Sequence, residues 1–182
     1  RWVKDGNKVT LFCGNDGYNP RYETIDGVEV VRRGGFYFVY IWAFFYYLGQ
    51  FRGKYDVIID CENGIPFFTP LYTFEKKRYL IIHHVHQDVF RKSLRPPFSN
   101  LAMFLEKTVM PNVYENCKIV TVSPSTKEEI LRIGLTKKEV DVIYNGVDLS
   151  KLVPAAKSEK PMILSLGRLK AYKSIDVLVK AA

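Results

Sequence analysis

Three observations predict an α/β protein built on a Rossmann-like parallel sheet with flanking helices. Short apolar runs alternate with segments of helical spacing along most of the chain, the pattern of successive βα units. One run, Arg78–Ile82, is apolar after its opening arginine, which predicts a strand covered on both faces and central in the sheet. Polar, chemistry-bearing residues follow directly after that run, at the carboxyl end of a strand where open α/β sheets gather their functional groups.

The elements follow in order. Lys8–Phe12 reads as a strand, and Val28–Arg32 as a second one after an Asp26-Gly27 turn. Residues 36–50 have helical length and begin with thirteen consecutive apolar or aromatic residues, Phe36 to Leu48. A bilayer span needs about 20 such residues, so this segment is too short to cross. A helix buried on nearly every side is the first reading. A helix that leaves an aromatic face for a membrane interface, with Arg32, Arg33, Arg52 and Lys54 beside it, is the second. Asp56–Asp60 is a strand bounded by charge, and Pro66 and Pro70 bracket an irregular piece. After Pro96-Pro97, Ser99–Val113 has helical spacing, with Leu101, Phe104, Leu105 and Val109 on one face. Lys118–Val122 is a strand. Ser123 or Ser125 caps the helix that follows, Pro124 suits its first turn, Glu128 and Glu129 face its dipole, and Gly134 ends it. Val140–Ile143 is the next strand, and residues 150–160 have the composition of a linker.

The chain has 182 residues and a formal charge of +8, from 27 Lys and Arg against 19 Asp and Glu, which favours anionic partners. Its aromatics form an apolar block instead of interleaving with cations, which argues against nucleic-acid binding. Cys13, Cys61 and Cys117 lack metal or redox spacing and read as buried free thiols of a reducing compartment. Both ends look interrupted. The first residues resemble the tail of a helix before a strand, and Ser174–Ala182 is a helix without a stop signal.

Two clusters carry chemistry. His83, His84 and His86, the three histidines of the chain, stand just past the apolar strand. Metal ligation, structural hydrogen bonding and a site role compete for them. No further ligand stands at a familiar spacing, so no metal is expected. Near the other end, Ile163-Leu164-Ser165-Leu166-Gly167-Arg168 leads to Lys173 and an apolar-periodic segment, a predicted strand-turn-helix. A helix N-terminus attracts anions, Arg168 can fork two phosphate oxygens, and Lys173 adds a point charge, the outline of a diphosphate site. A plain βα turn with two solvated cations would look the same.

Together with Val142-Ile143-Tyr144-Asn145-Gly146-Val147-Asp148, that segment resembles the signature of glycosyltransferase family 4, in which "NGVD" closes the first domain and "GR(L)xxxKG" opens the second. Ser174 departs from the usual final glycine but leaves the cation pair intact. The resemblance implies a GT-B fold, two Rossmann-like halves with a nucleotide-sugar between them. Here it would comprise an N-terminal domain over 1–149, lacking its first strand, a linker over 150–160, and a second domain only begun over 161–182. It places the family's N-domain histidine at His84, with His83 as the competing register, near the transferred sugar. The string His83-His84-Val85-His86-Gln87-Asp88-Val89-Phe90 resembles a subset of members with "HHVH" there, and makes His86, Gln87 and Asp88 acceptor candidates. Asn145 and Gly146 would form a turn near the cleft, using φ > 0.

The resemblance thus implies retaining transfer of a sugar from a UDP-, GDP- or ADP-linked donor to a hydroxyl of a glycan or lipid-linked acceptor, as in hexosyltransferases. Arg168 and Lys173 would stabilise the departing diphosphate without a metal ion. No Asp-x-Asp pair is present, no cofactor is called for, and the nucleotide-sugar is a substrate. The expected location is cytoplasmic, with peripheral contact to the membrane face through 36–48. A paired-glutamate motif of the second domain falls beyond residue 182, so these residues alone are expected to be inactive. The rivals are a nucleotide-sugar epimerase on the same scaffold and a non-catalytic anion- or nucleic-acid-binding module.

Overall fold

The structure, a computed structural model, describes every residue except 63, 76, 87–89, 91–94, 154–155, 168 and 170–172. Among the described residues, seven strands form two sheets. The first joins β1 (Thr10–Cys13), β3 (Val28–Arg32) and β2 (Tyr22–Ile25) in that spatial order. The second runs β4 (Val57–Glu62), β5 (Lys77–Ile82), β6 (Lys118–Thr121), β7 (Val140–Val142), with every neighbouring pair parallel. Helices flank this sheet, giving the predicted α/β Rossmann-like arrangement, and β5 is an inner strand as its apolar run requires.

The sequence reading missed β2. Asp26 at φ 50° and Gly27 at φ 80° form a tight turn that folds Tyr22–Ile25 back antiparallel on β3. The Asp26-Gly27 signal was legible, but the strand before it lacks a clear apolar alternation.

The aromatic segment becomes α1 (Val39–Tyr46), extended by a π-helical turn over Tyr47–Phe51. It does not match a helix buried on nearly every side. Val39, Ala43, Tyr46 and Tyr47 face inward, whereas Ile41 and Phe45 are 54% and 57% exposed. Phe36, Tyr37 and Phe38, before the helix, are exposed as well. The second helical segment comprises α2 (Phe98–Phe104), a π-helical turn (Leu105–Val109) and α3 (Met110–Val113). Its buried stripe is Ala102, Glu106, Met110 and, just beyond, Tyr114, while Leu101 and Phe104 are exposed. A π turn holds more residues per turn than an α-helix, so the inward face advances here in steps of four.

The core packs Leu80, Ile82, Met110, Tyr114, Ile119, Ile130, Leu135 and Val140 between the parallel sheet, α3 and α4 (Pro124–Arg132). Ser123 caps α4 by accepting the Thr126 N–H at 3.2 Å, Pro124 occupies its first turn, and Gly134 at φ 70° ends it, all as predicted. Glu128 and Glu129 fall beyond the first turn and add little to the dipole.

Three other expectations are corrected. Asn145 and Gly146 are not among the positive-φ residues and lie in an exposed stretch with no turn assigned. The predicted strand around Ile163 is absent, because no described strand lies beside it to complete a ladder, and its aliphatic residues are exposed. The final helix, α5 (Ile175–Ala181), lies where the sequence predicts it and starts after Ser174, whose φ of 51° is in the left-handed region. The three cysteines are free thiols, but only Cys117 is buried.

Alternation along β4 places Asp60 and Glu62 on one face, and that face is the buried one. Asp60, 1% exposed, accepts from Phe67 N–H (3.1 Å), Thr69 N–H (3.2 Å) and Thr69 Oγ1 (3.1 Å), and from the Tyr114 hydroxyl. It ties the loop after β4 to the end of α3. Removing the carboxylate would strand three described donors besides Thr69 Oγ1. Asp60→Ala is therefore expected to cost about 3 kcal/mol or more, and Tyr114→Phe about 1–2 kcal/mol, in urea denaturation.

Candidate functional site

The loop leaving β5 is held from both sides. Thr121 Oγ1 donates to the Ile82 carbonyl at 2.8 Å, and Thr126 Oγ1, in the first turn of α4, donates to the His83 carbonyl at 3.2 Å. On the other side Glu106 Oε1 accepts the His86 N–H at 2.8 Å. The backbone thus turns so that His83 and His84 are exposed while His86 points inward, 5% exposed. Phe90 returns its N–H to the His86 carbonyl at 2.8 Å and stacks on the His86 ring, with centroids 5.7 Å apart.

His84 lies against His86, ring centroids 4.1 Å apart. Its pKa is lowered, chiefly by partial burial and then by the positive ends of His86 and His83, with Glu129 opposing and Lys173 adding a smaller repulsion. A depressed value leaves the imidazole neutral at pH 7, able to accept a proton or a hydrogen bond at one nitrogen. Lys173 is exposed, two residues before α5.

Other predicted residues divide differently. Arg168, Gln87 and Asp88 lie outside the described residues. Asn145 and Gly146 are exposed, on the stretch that leaves the carboxyl end of β7. Ser123 serves as the helix cap, its oxygen engaged with Ser125, Thr126 Oγ1 and the Thr126 N–H. A surface hollow lined by Lys8, Thr10, Tyr22 and Tyr55 belongs to the other sheet and contains none of the predicted site residues.

Beneath the histidine loop is a cluster that the sequence reading missed. Glu62 ends β4, Glu106 sits in the π-helical turn, and both reach His86; Glu62 is 0% and Glu106 2% exposed. His86 Nδ1 stands 3.0 Å from Glu62 Oε1, though the direction does not make a hydrogen bond. Both Glu62 oxygens, His86 Nδ1 and Glu106 Oε2 are buried without a hydrogen-bond partner among the described residues. Burial raises the Glu62 pKa against the opposing pull of His86. Burial likewise pushes Glu106 up to about 7, opposed by the His86 N–H and reinforced by the Glu62 charge. One ligand atom from each residue lies within 4.8 Å of the others, so the three could hold a cation. Alternation placed Glu62, and the step-of-four stripe placed Glu106, so the signal was present as two polar residues at inward positions.

The comparisons with known proteins agree with the geometry. The model of Glycosyltransferase Family 4 matches residues 1–151. An uncharacterized glycosyltransferase of Methanocaldococcus jannaschii is 28% identical over 207 aligned positions, covering 98% of this chain and 51% of that protein. A second uncharacterized glycosyltransferase of the same organism is 23% identical over 177 positions, covering 89% and 43%. The chain spans about half the length of the curated relatives it matches. No solved structure matches it.

A carboxyl group whose folded pKa exceeds its unfolded value binds protons more tightly when folded, so stability falls as pH rises between the two values. For Glu106 that window runs from the ordinary 4.5 to about 7. In chelator-treated protein, thermal stability should decline across this range, and Glu106→Gln should flatten the decline in a pH series of melting curves.

Proposed function

Since the chain belongs to glycosyltransferase family 4, we propose that the whole protein moves a sugar from a nucleoside diphosphate donor to a hydroxyl acceptor, with retention of configuration at the anomeric carbon. The observation that carries this reading is the exposed pair His83 and His84 at the carboxyl end of β5, in a chain whose residues 1–151 match that family. In this reading a donor diphosphate bound at the start of the second domain lies beside the imidazole at the end of β5. Charge develops on the diphosphate as the glycosidic bond breaks. Cations held in a poorly hydrated cleft stabilise that charge more than they stabilise the intact donor. Lys173 would do this as a compact charge and Arg168 as a fork. No metal ion is needed at the diphosphate in this scheme.

His84 would act on the sugar. Kept neutral at pH 7, it can accept a hydrogen bond from a sugar hydroxyl and fix the ring without adding a positive charge next to an oxocarbenium-like centre. His83, equally exposed, is the alternative register. Gln87, Asp88 and Asn145 are the acceptor-side candidates. Donors linked to UDP, GDP or ADP and acceptors that are glycans or lipid-linked hydroxyls all fit this chemistry.

Support for a lipid-linked acceptor comes from α1 and the turn before it. Phe36, Tyr37, Phe38, Ile41 and Phe45 form an exposed aromatic surface. Arg33 stacks over Trp42 at 4.5 Å and Arg52 over Phe74 at 5.0 Å, placing cations at its edges. Such a surface suits the headgroup region of an anionic membrane. No described helix is long and apolar enough to cross a membrane.

Two experiments test these readings in the complete protein. In calorimetry against UDP-, GDP- and ADP-sugars, one donor class should bind. Lys173→Ala and Arg168→Ala should each weaken it at least about tenfold, while His84→Ala should bind normally and lose about 10²–10⁴ in kcat. Undiminished donor binding in both cation variants would remove the diphosphate assignment. In co-sedimentation with anionic vesicles, Phe38→Ser/Phe45→Ser should reduce pelleting several-fold, and unchanged pelleting would remove the membrane surface.

A further inference from the structure

The geometry points to a buried site for one divalent first-row transition cation, such as Zn²⁺, Mn²⁺ or Fe²⁺, ligated by Glu62, His86 and Glu106. The three groups come from three separate elements: the last residue of β4, the loop after β5 and the π-helical turn between α2 and α3. Each presents a buried atom with no hydrogen-bond partner among the described residues: a Glu62 oxygen, His86 Nδ1 and Glu106 Oε2. Orphaned buried polar atoms are rare in folded proteins, and four within one cluster ask for a common partner. A carboxylate left bare in the interior costs several kcal/mol; Glu62 has the His86 imidazole beside it, while Glu106 receives the His86 backbone N–H.

The spacing suits an ion. Metal–oxygen and metal–nitrogen bonds of about 2.1 Å at right angles put neighbouring ligand atoms about 3 Å apart. His86 Nδ1 and Glu62 Oε1 are 3.0 Å apart, a spacing that two ligands of one centre share. Glu106 divides its work. Oε1 accepts the His86 N–H at 2.8 Å and orients the loop, which leaves Oε2 buried without a hydrogen-bond partner among the described residues. Phe90, stacked on the His86 ring, holds the imidazole plane. Such outer contacts are what fix a metal ligand's direction. A mixed nitrogen and carboxylate set selects the transition series over Ca²⁺ and Mg²⁺, which prefer oxygen alone.

The role of this cation is structural. It joins β4, the histidine loop and the second helical segment at a point 0–5% exposed, and the His84 ring rests on the His86 it ligates. It is separate from the diphosphate chemistry assigned to Arg168 and Lys173, and stands whether or not that assignment does.

The test uses the purified protein carrying a tag without histidines. Elemental analysis should find about one equivalent of Zn, Mn or Fe per chain. After chelation and gel filtration, ZnCl₂ or MnCl₂ alone should raise the melting temperature by several degrees, and CoCl₂ should give a visible absorption band. Glu62→Gln/Glu106→Gln should abolish the stoichiometric metal, the shift and the band. Metal-free wild-type protein whose melting temperature neither salt moves would overturn the proposal, as would a double variant with wild-type metal content. If the double variant fails to fold, the wild-type metal content and cobalt spectrum decide alone.

Discussion

Two residues apart on one face of β4, Asp60 and Glu62 carry carboxylates into the interior, and much of the surrounding structure answers the cost of taking them out of water. The two are treated differently. Asp60 collects backbone and side-chain donors from the loop after β4 and the Tyr114 hydroxyl, so its demand is met by hydrogen bonds that also position that loop. Glu62 faces the His86 imidazole and, in the same cluster, a second buried carboxyl. The first arrangement closes on itself. The second asks for a proton or a cation.

That asymmetry bears on the histidine loop. A loop at the carboxyl end of a central strand is free to change shape unless something anchors it. Here the anchors are the Glu106 carboxylate on the His86 N–H, the Thr126 hydroxyl on the His83 carbonyl, and the Thr121 hydroxyl on the Ile82 carbonyl. With its backbone held at both ends, the loop exposes His83 and His84 and sinks His86. The two exposed histidines and the buried one are thus neighbours in sequence with opposite surroundings.

Patterns of short range were readable. The Ser123-Pro124 helix start, the Gly134 stop, the inner position of the Arg78–Ile82 run and the chemistry-rich strand end depend on residues close together in the chain, and each appears where its local physics places it. The failures also have local causes. Tyr22–Ile25 lacks an alternating pattern and becomes a strand because the Asp26-Gly27 turn folds it against β3. A π turn shifted the inward face from Leu101, Phe104, Leu105 and Val109 to Ala102, Glu106 and Met110, and periodicity set at 3.6 residues cannot register that shift. Aromatic density in 36–48 suggested full burial, whereas the helix has a core on one side only.

By itself, the sequence determined the α/β class, the family and the histidine cluster, because alternation, turn chemistry and motif spacing are properties of adjacent residues. Only the tertiary structure decided that the three histidines divide into two exposed and one buried, and that Glu62 and Glu106 converge on His86. Those juxtapositions join residues tens of positions apart. No local spacing encodes them; they follow from strand order and from which helix face the core selects.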